Sequence, residues 1–262
     1  MKFTTLLLSS TLLSSALFAG GDIAPVEPVI QEVTPQVNAS PWSFEFEPYL
    51  LISSMSGTAQ IGRTPALEID MDFGDILEKL EIGAMAHFEA HHESGWGVWL
   101  DYGFMDLSSD LSGPVGGVTD VGIRQGILEV FGMYRQELSA GYIDYLAGIR
   151  WWDNDIDVSH SALPLAANVE EDWVDLVVGA RWTMPLNESW KFSVNGNVGG
   201  LGSDLSLSGA VGVKYVISDL LDLDLQYKAL WADYESGTRG EAGYFAYDST
   251  TYGPIIGLNF KF

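Results

Sequence analysis

Apolar and polar residues alternate with a period of two through most of this chain. In the last such segment, Ile256, Leu258 and Phe260 fall on one face. Gly257 and Asn259 fall on the opposite face. A period of two is the period of a β-strand, whose successive side chains point to opposite faces. No run of 18 apolar residues occurs after residue 42, so we predict a body made of strands, without membrane-spanning helices.

The alternation recurs often enough to predict about ten strands, each with one apolar and one polar face. The apolar faces begin or end in aromatic rings, which are Trp42, Trp96, Tyr134, Tyr145, Trp151, Trp182, Trp190, Tyr215, Tyr227 and Trp231. A soluble sandwich would also alternate, but rings at these places are typical of the headgroup level of a bilayer. The pattern predicts an all-β fold, a closed antiparallel transmembrane β-barrel of about ten strands. Eight or twelve strands stay open as alternatives.

The predicted connections alternate between short and long. The short ones are 92–95, 137–141, 185–189 and 218–220. The long ones are Ser56 to Glu81, Ser109 to Gly122, Asn154 to Asp172 and Glu235 to Thr251, with Gly199 to Asp204 as a short exception. Outer-membrane barrels have short periplasmic turns and long external loops. If both ends of the barrel lie in the periplasm, the strand count is even, and ten satisfies that condition.

The first forty residues are predicted to direct export and to tether the barrel. Residues 1–19 have a short basic start, an apolar stretch and small residues before a polar chain, which is typical of a secretory signal peptide. Residues 20–41 form a proline-rich segment, and proline at this density favours an extended periplasmic linker. We therefore predict a signal peptide (1–19), a linker (20–41) and a β-barrel (42–262) in the outer membrane of a bacterium.

Charge and cysteine content exclude several classes of function. The chain has 12 Lys and Arg against 36 Asp and Glu, which gives a formal charge of −24. Nucleic acid is excluded as a partner, because phosphate binding needs clustered bases. The absence of cysteine excludes disulfides, thiolate catalysis and Cys-ligated metal sites. The expected partner is outer-membrane lipid, with small solutes or cations as further alternatives, and the oligomeric state stays open.

The polar faces of the predicted strands carry most of the basic residues together with nine acids. The predicted lumen acids are Glu45, Glu47, Glu89, Asp101, Glu129, Asp144, Asp175, Asp222 and Asp224, and the lumen bases are Arg135, Arg150, Arg181, Lys191, Lys214, Lys228 and Lys261. In a narrow barrel, side chains from opposite walls meet, and buried charges must pair or change their ionisation. Two interpretations stay open: an ion-pair network that closes the lumen, which we favour, and a narrow, weakly cation-preferring pore.

Two further motifs have the residue types of a metal site but the wrong spacing. His87, Glu89 and His91 share one predicted inward face, but residues four apart in a strand are separated by roughly 13 Å, too far for one ion. Asp153–Asp157 resembles the first half of a calcium loop, but Val158 stands where such a loop needs glycine. The sequence also has no G-x-S-x-G motif. We predict no metal, cofactor or catalytic residue.

Asp72–Leu80 is predicted to form a short amphipathic helix in the first long connection. Asp72 and Asp75 have the spacing of a capping box. The apolar residues Ile76, Leu77 and Leu80 need a place to pack. Two placements stay open: a partial plug over or inside the lumen, or a helix along the outer rim.

Four segments carry a resemblance to a known group of proteins. They are DFGDILEKL (72–80), AGIRWWD (147–153), VGGLGSD (198–204) and GPIIGLNF (253–260). They resemble small outer-membrane β-barrel proteins of the opacity and 31-kilodalton porin-like kind. The resemblance spans about residues 42–262 and implies the barrel fold and an outer-membrane location, without supplying a catalytic residue.

The end of the chain adds a predicted contact with the assembly machinery of outer-membrane barrels. Apolar residues at alternate positions before a final phenylalanine resemble the C-terminal signal of such barrels, here Phe262, Phe260, Leu258 and Ile256. Together these features predict a porin-like small channel or a structural surface protein rather than an enzyme. An adhesin or ligand-binding surface protein is the alternative, and an outer-membrane enzyme is a more distant one.

Overall fold

The computed structural model describes residues 40–112, 118–160 and 166–262. The predicted signal peptide (1–19) and the predicted linker as far as residue 39 lie outside these residues. In the described part, the strands are β1 (Trp42–Leu51), β2 (Ser54–Ile61), β3 (Leu67–Met71), β4 (Leu80–His92), β5 (Trp96–Ser112), β6 (Val118–Leu138), β7 (Gly141–His160), β8 (Ala166–Pro185), β9 (Trp190–Gly200), β10 (Leu205–Ser218), β11 (Leu221–Ser236) and β12 (Phe245–Lys261), and the helix is α1 (Phe73–Lys79). No helix among these residues is long and apolar enough to cross a membrane.

Ten of the described strands close into an antiparallel barrel. β1 pairs with β4, the strands from β4 to β12 follow in chain order, and β12 pairs back with β1. The closing register runs from Glu45 opposite Lys261 to Leu51 opposite Ile255. Closure pairs most of the length of these ten strands on both sides, which is how a barrel limits edge-to-edge association. The predicted closed ten-strand barrel is confirmed.

The connection that was predicted as a loop from Ser56 to Glu81 contains further regular structure. β2 continues the wall above β1 by pairing with the upper part of β12, and β3 pairs with β2. The helix α1 then returns the chain to β4. The capping box is present, because Asp72 accepts from the Asp75 amide at 3.0 Å and Asp75 accepts from the Asp72 amide at 3.1 Å. The predicted helix is confirmed.

The four connections at one end of the barrel are short, and we call this the short-turn end. They link β4 to β5, β6 to β7, β8 to β9 and β10 to β11. Gly141 starts β7 with φ +92°, and a Cβ there would overlap the carbonyl oxygen of Thr183, so the turn needs glycine. The other end is the long-hairpin end.

Three strand pairs at the long-hairpin end extend further than the sequence predicted. The expected loop Glu235–Thr251 is shorter, because β11 runs to Ser236 and β12 begins at Phe245. The expected loops Ser109–Gly122 and Asn154–Asp172 are largely continuations of β5, β6, β7 and β8. Polar cross-strand contacts support the extension, since Arg124 donates to Asp155 at 2.5 Å and Asn168 donates to the same carboxylate at 2.9 Å. The alternation of apolar and polar residues fades there, because polar side chains such as Asn154 and Asp155 occur on both faces of the hairpin.

Burial alternates along the barrel strands, with one face toward the lumen and one outward. On β5, for example, Trp99 and Asp101 are buried while Val98 and Tyr102 are exposed. Aromatic side chains cluster outside, close to the short turns. The ring pairs there include Trp96 with Tyr134 at 5.1 Å and Trp190 with Tyr215 at 4.8 Å between centroids. This arrangement is typical of the aromatic girdle of a membrane barrel.

Candidate functional site in the barrel interior

The lumen contains a polar cavity on the side of the short turns. The cavity has about 990 Å³ of space not filled by protein atoms, including its open mouth. Its charged lining residues are Glu45, Glu47, His87, Glu89, Asp101, Glu129, Arg135, Arg181, Lys191, Lys214, Asp222, Asp224 and Lys228. Most of them belong to the predicted lumen set. The predicted faces of the strands thus bring these residues to one place. Their contacts form five groups, two of which are joined by His87, which lies 3.3 Å from Asp101.

Glu89 on β4 is the centre of the first group. His87 contacts one carboxylate oxygen at 2.7 Å, and His91 contacts the other at 2.6 Å. Arg181 reaches across from β8 and donates to the same carboxylate at 2.8 Å. Arg181 also donates to Asp144 at 2.8 Å. One buried carboxylate therefore shares three cationic or polar partners, which is how a buried charge becomes tolerable.

Asp144 joins this group to the neighbouring strand. It accepts from Arg135 through both carboxylate oxygens, at 2.7 and 3.0 Å. The Arg135 guanidinium also lies 3.7 Å from the centre of the Tyr142 ring, and that of Arg181 lies 4.7 Å from the Trp99 ring. These cation–π contacts cover the flat faces of both guanidinium groups. The arginines are held in fixed positions by carboxylates at their edges and rings at their faces.

Arg150 forms the second group and is completely buried. It donates to Glu129 at 2.7 Å, to Asn197 at 2.5 Å and to Ser206 at 3.1 Å. Ser206 in turn donates to Asp175 at 2.7 Å. Asp175 thus joins the group through a hydroxyl rather than through a direct ion pair. Partners from the consecutive strands β6 to β10 thus meet at Arg150.

Lys214 is the centre of the third group. Its ammonium nitrogen lies 3.4 Å from Asp224, 3.5 Å from Glu47 and 3.7 Å from Glu45. Three acids around one base leave this region of the cavity with an excess of negative charge. A cation would therefore be favoured there over an anion.

Two smaller ion pairs complete the set. Lys228 lies 3.7 Å from Asp101 in the middle of the lumen. Lys261 lies 2.7 Å from Asp222 close to the short turns, and Lys191 lies 3.9 Å from the same carboxylate. Every one of the sixteen predicted lumen charges therefore contacts at least one other member of the set or reaches one through a serine.

Several side chains that contact these charges were absent from the predicted set. Tyr49 donates to Asp101 at 3.0 Å. Ser203 donates to Asp175 through both its amide and its hydroxyl, at 2.7 and 2.8 Å. Tyr49 shares the inward period of Glu45 and Glu47 and so could have been found. Ser203 lies in a turn, where no period exists to reveal it.

A second, largely aromatic layer lies above the charges, toward the long hairpins. Trp152 stacks on Trp173 with centroids 5.3 Å apart, and Trp173 stacks on Tyr234 at 3.9 Å. Phe245 and Tyr247 pack against the same rings. These residues come from β7 and β8 on one side and from β11 and β12 on the other. Their rings therefore meet across the lumen, and we call this cluster the aromatic layer.

The helix α1 lies between its two predicted positions. Ile76 is buried and packs with Met55, Met105 and Leu107, while Leu77 is exposed on the other side. The helix thus fills a place in the barrel wall between β3 and β5. The predictions of a plug and of a helix along the rim are both incomplete, because one side of the helix faces the interior and the other faces outward.

Neither metal-like motif has the geometry of a metal site. Among the described residues, no group of three or more His, Asp or Glu side chains is arranged to hold a metal ion. His87 and His91 contact different oxygens of Glu89, whose charge is already shared with Arg181. Asp153–Asp157 lies within strand β7 rather than in a loop.

The long-hairpin end carries many acids on its outer surface. Asp233 lies beyond Trp231, where the apolar outer face of β11 ends. Partial burial raises the pKa of Asp233, and the carboxylates of Asp248, Asp204 and Glu235 raise this pKa further. Burial is the larger cause of the raised pKa of Asp233, and the three neighbouring carboxylates add to it.

The comparisons with known proteins agree with this architecture. No protein-family model matches the sequence, and no curated protein sequence matches it significantly. The outer membrane protease OmpT from Escherichia coli is similar in structure, with a TM-score of 0.58, 6% identity, and coverage of 85% of this chain and 98% of OmpT. The translocator domain of the autotransporter NalP from Neisseria meningitidis gives a TM-score of 0.48, 11% identity, and coverage of 87% of this chain and 90% of that domain. At these identities the likeness to OmpT shows the fold alone.

Proposed function

We propose that this protein is an integral outer-membrane β-barrel that acts as a structural surface protein, with a lumen closed by its own side chains. The short-turn end faces the periplasm and the long-hairpin end faces the medium. The closed barrel, the outward aromatic girdle and the predicted export signal support this location. The bilayer lipid is then the main partner.

The observation that carries the proposal is the contact between opposite walls of the lumen. The rings of Trp173 and Tyr234 stack at 3.9 Å, which leaves no room for a hydrated ion between them. Below them, Arg150 and its partners are buried. A passing ion would have to displace both layers, and the lower one contains charges that are costly to separate.

Membership in the opacity and 31-kilodalton porin-like group and assembly through the C-terminal strand are parts of the same proposal. Outward-facing Ile256, Leu258 and Phe260 are exposed on β12, together with Phe262. They are available for recognition by assembly machinery before β12 pairs with β1. The seam between these two strands is the last part of the wall to close in this scheme.

The second candidate function is a narrow channel that prefers cations. It is favoured by the polar cavity and by the three acids around Lys214. In that case the aromatic layer would act as a gate rather than as a fixed seal. The protruding hairpins are the feature that would serve an adhesive or ligand-binding role.

Single-channel conductance in a planar bilayer tests the proposal. We expect no discrete steps from the refolded wild type, because the aromatic layer closes the lumen. Trp173→Ala and Tyr234→Ala remove two stacked rings from this layer, and Arg150→Met with Glu129→Gln removes the central ion pair of the lower layer. We expect the variant that combines all four changes to produce discrete steps.

The control is Leu207→Ala, which truncates an exposed outward side chain and should stay silent. Folding of each variant is checked by its heat-dependent mobility on gels. Steps from the folded wild type would contradict the closed lumen and favour the channel.

A further inference from the structure

The barrel wall contains an interruption between β1 and β4. Their pairing stops at Pro48 opposite Ala86, although both strands and their neighbours lie in the described part of the chain. β1 continues through residues 49–51 along β12 alone, and β4 begins at residues 80–85 along β5 alone. Proline has no amide hydrogen to donate to a neighbouring strand. Pro48 is therefore a favourable position for the pairing of β1 with β4 to end. We call this gap the lateral window; α1 bounds it toward the long-hairpin end.

The surroundings of the window are apolar on the outer surface. Leu50 on β1, Ile82 on β4 and Leu77 on α1 are 54%, 58% and 56% exposed. Tyr102 on β5 is also exposed outward and pairs with Ala86, so an aromatic ring lies level with the start of the window. Such rings are typical of the boundary between hydrocarbon and headgroups. The window therefore lies at the external edge of the apolar band.

The backbone amide and carbonyl groups of an open sheet edge at this depth need hydrogen-bond partners. In hydrocarbon, each unsatisfied amide or carbonyl group costs several kcal/mol. The edges of residues 49–51 and 80–85 therefore need polar atoms in the window itself. A molecule with a polar group above an apolar chain supplies both the hydrogen bonds and the apolar surface.

A mostly apolar cavity lies directly behind the window. Residues of both window edges line it, with Tyr49 and Leu51 from β1 and Met85 from β4. Its other apolar lining residues are Phe104, Met105, Ile127 and Leu230. The space not filled by protein atoms is about 560 Å³, including the mouth.

The rest of the lumen restricts entry to this cavity from either end. On the side of the short turns, its floor includes the paired Lys228 and Asp101. On the side of the long hairpins, Leu230 belongs to the same packed cluster as the aromatic layer. The window is thus the side on which the cavity adjoins the outer surface of the wall.

We propose that the lateral window admits the hydrocarbon chain of a membrane lipid into this cavity. The chain lies against Leu51, Met85 and Met105, and the polar part of the lipid stays in the window, where it hydrogen-bonds the free strand edges. This inference rests on the proposed location in a membrane. It adds a lipid-binding site that a structural barrel does not require.

Gly103 provides a way to fill the cavity without disturbing the wall. It lines the cavity, and a Cβ at this position would meet only the Cγ atom of Met85, at 3.9 Å. A larger side chain at residue 103 can therefore project into the empty space. Gly103→Phe is the variant that should block lipid entry.

The experiment uses single cysteines, since the chain has none of its own. Met85→Cys is placed in phosphatidylcholine vesicles and treated with N-dodecylmaleimide, which partitions into the bilayer, or with a sulfonated maleimide, which stays in water. Mass spectrometry follows the rate of modification. Leu258→Cys is the control for an outward position, and Val177→Cys is the control for a buried position on another part of the wall.

We expect N-dodecylmaleimide to modify Met85→Cys about tenfold faster than Val177→Cys, because thiol modification follows access. Adding Gly103→Phe should reduce that rate by about fivefold, while Leu258→Cys stays rapid. Leu51→Cys, on the other edge of the window, repeats the test if Met85→Cys does not fold.

The control variants distinguish failure of the proposed membrane location from failure of the lateral window. If Leu258→Cys is not modified from the bilayer, the membrane location fails. If Leu258→Cys is modified but Met85→Cys is as slow as Val177→Cys, the lateral window fails. It also fails if Gly103→Phe has no effect, or if the sulfonated reagent modifies Met85→Cys faster than the dodecyl reagent does.

Discussion

Arg150 illustrates the energetics of single residues in this lumen. It is buried without solvent contact and has charged or polar partners on its three guanidinium nitrogens. Removing a charge from water costs several kcal/mol, and the ion pair with Glu129 offsets this cost only while both partners are present. The arginine therefore contributes to a fixed arrangement of the walls more than it adds net stability.

We predict that Arg150→Met destabilises the barrel by about 3–5 kcal/mol, because Glu129 is left as an uncompensated buried charge. Urea unfolding in lipid vesicles measures this change. Adding Glu129→Gln should restore a large part of the loss, since the remaining charge is then removed too.

Lys191→Met serves as the comparison, because the Lys191 side chain is 38% exposed and lies 3.9 Å from Asp222. Asp222 keeps its closer partner Lys261 when Lys191 is replaced, and a half-exposed base at this distance contributes about 0–1 kcal/mol. Equal losses for Arg150→Met and Lys191→Met would contradict the role assigned to burial.

At the scale of elements, α1 replaces a missing piece of the sheet. β3 ends at Met71 and β4 begins at Leu80, and the helix between them packs on β5 through Ile76. The capping box fixes the start of the helix, and the alternation of strand residues resumes directly after it. The helix thus holds the external edge of the lateral window in place.

We predict that Ile76→Ala destabilises the protein by about 2–4 kcal/mol, because it leaves a cavity among Met55, Met105 and Leu107. Leu77→Ala removes an equally large side chain from the exposed side of the same helix, and we expect a change within about 0.5 kcal/mol. Urea unfolding compares the two. A larger loss for Leu77→Ala would mean that the other side of the helix is the packed one.

The whole molecule depends on the closure of β12 against β1. Gly257 faces the lumen at this seam, and a Cβ there would overlap the carboxylate of Glu47. Glu47 is buried and lies 3.5 Å from Lys214. The seam therefore requires a residue without a side chain at position 257, so that the third ion group can form beside it.

We predict that Gly257→Val lowers the yield of closed barrel and destabilises what forms by about 1–3 kcal/mol, the usual cost of overpacking. The fraction of folded protein on unheated gels measures closure. Leu207→Val changes an exposed outward residue on β10, away from the C-terminal strand, and should leave the yield unchanged. A normal yield for Gly257→Val would show that Glu47 can move away without cost.

Much of this protein follows from the sequence through one physical rule, the period of two. That period determines which side chains of a strand share a face, so it identified the outward aromatic rings and an inward set that includes Arg150 and Glu89. Glycine and polar residues between the strand segments predicted the short connections at the short-turn end. The capping pattern of Asp72 and Asp75 determined the helix.

The tertiary structure decided which inward residues meet. A period assigns a face but not a register, and contacts across a lumen depend on strand stagger and closure. The stack of Trp173 on Tyr234 and the contact of Arg181 with Glu89 join strands that are not neighbours in the sheet. The lateral window is a tertiary feature for the same reason. It exists because β1 follows β12 while β4 follows β5 beyond Pro48, and the proline alone does not determine which neighbouring strand is lost.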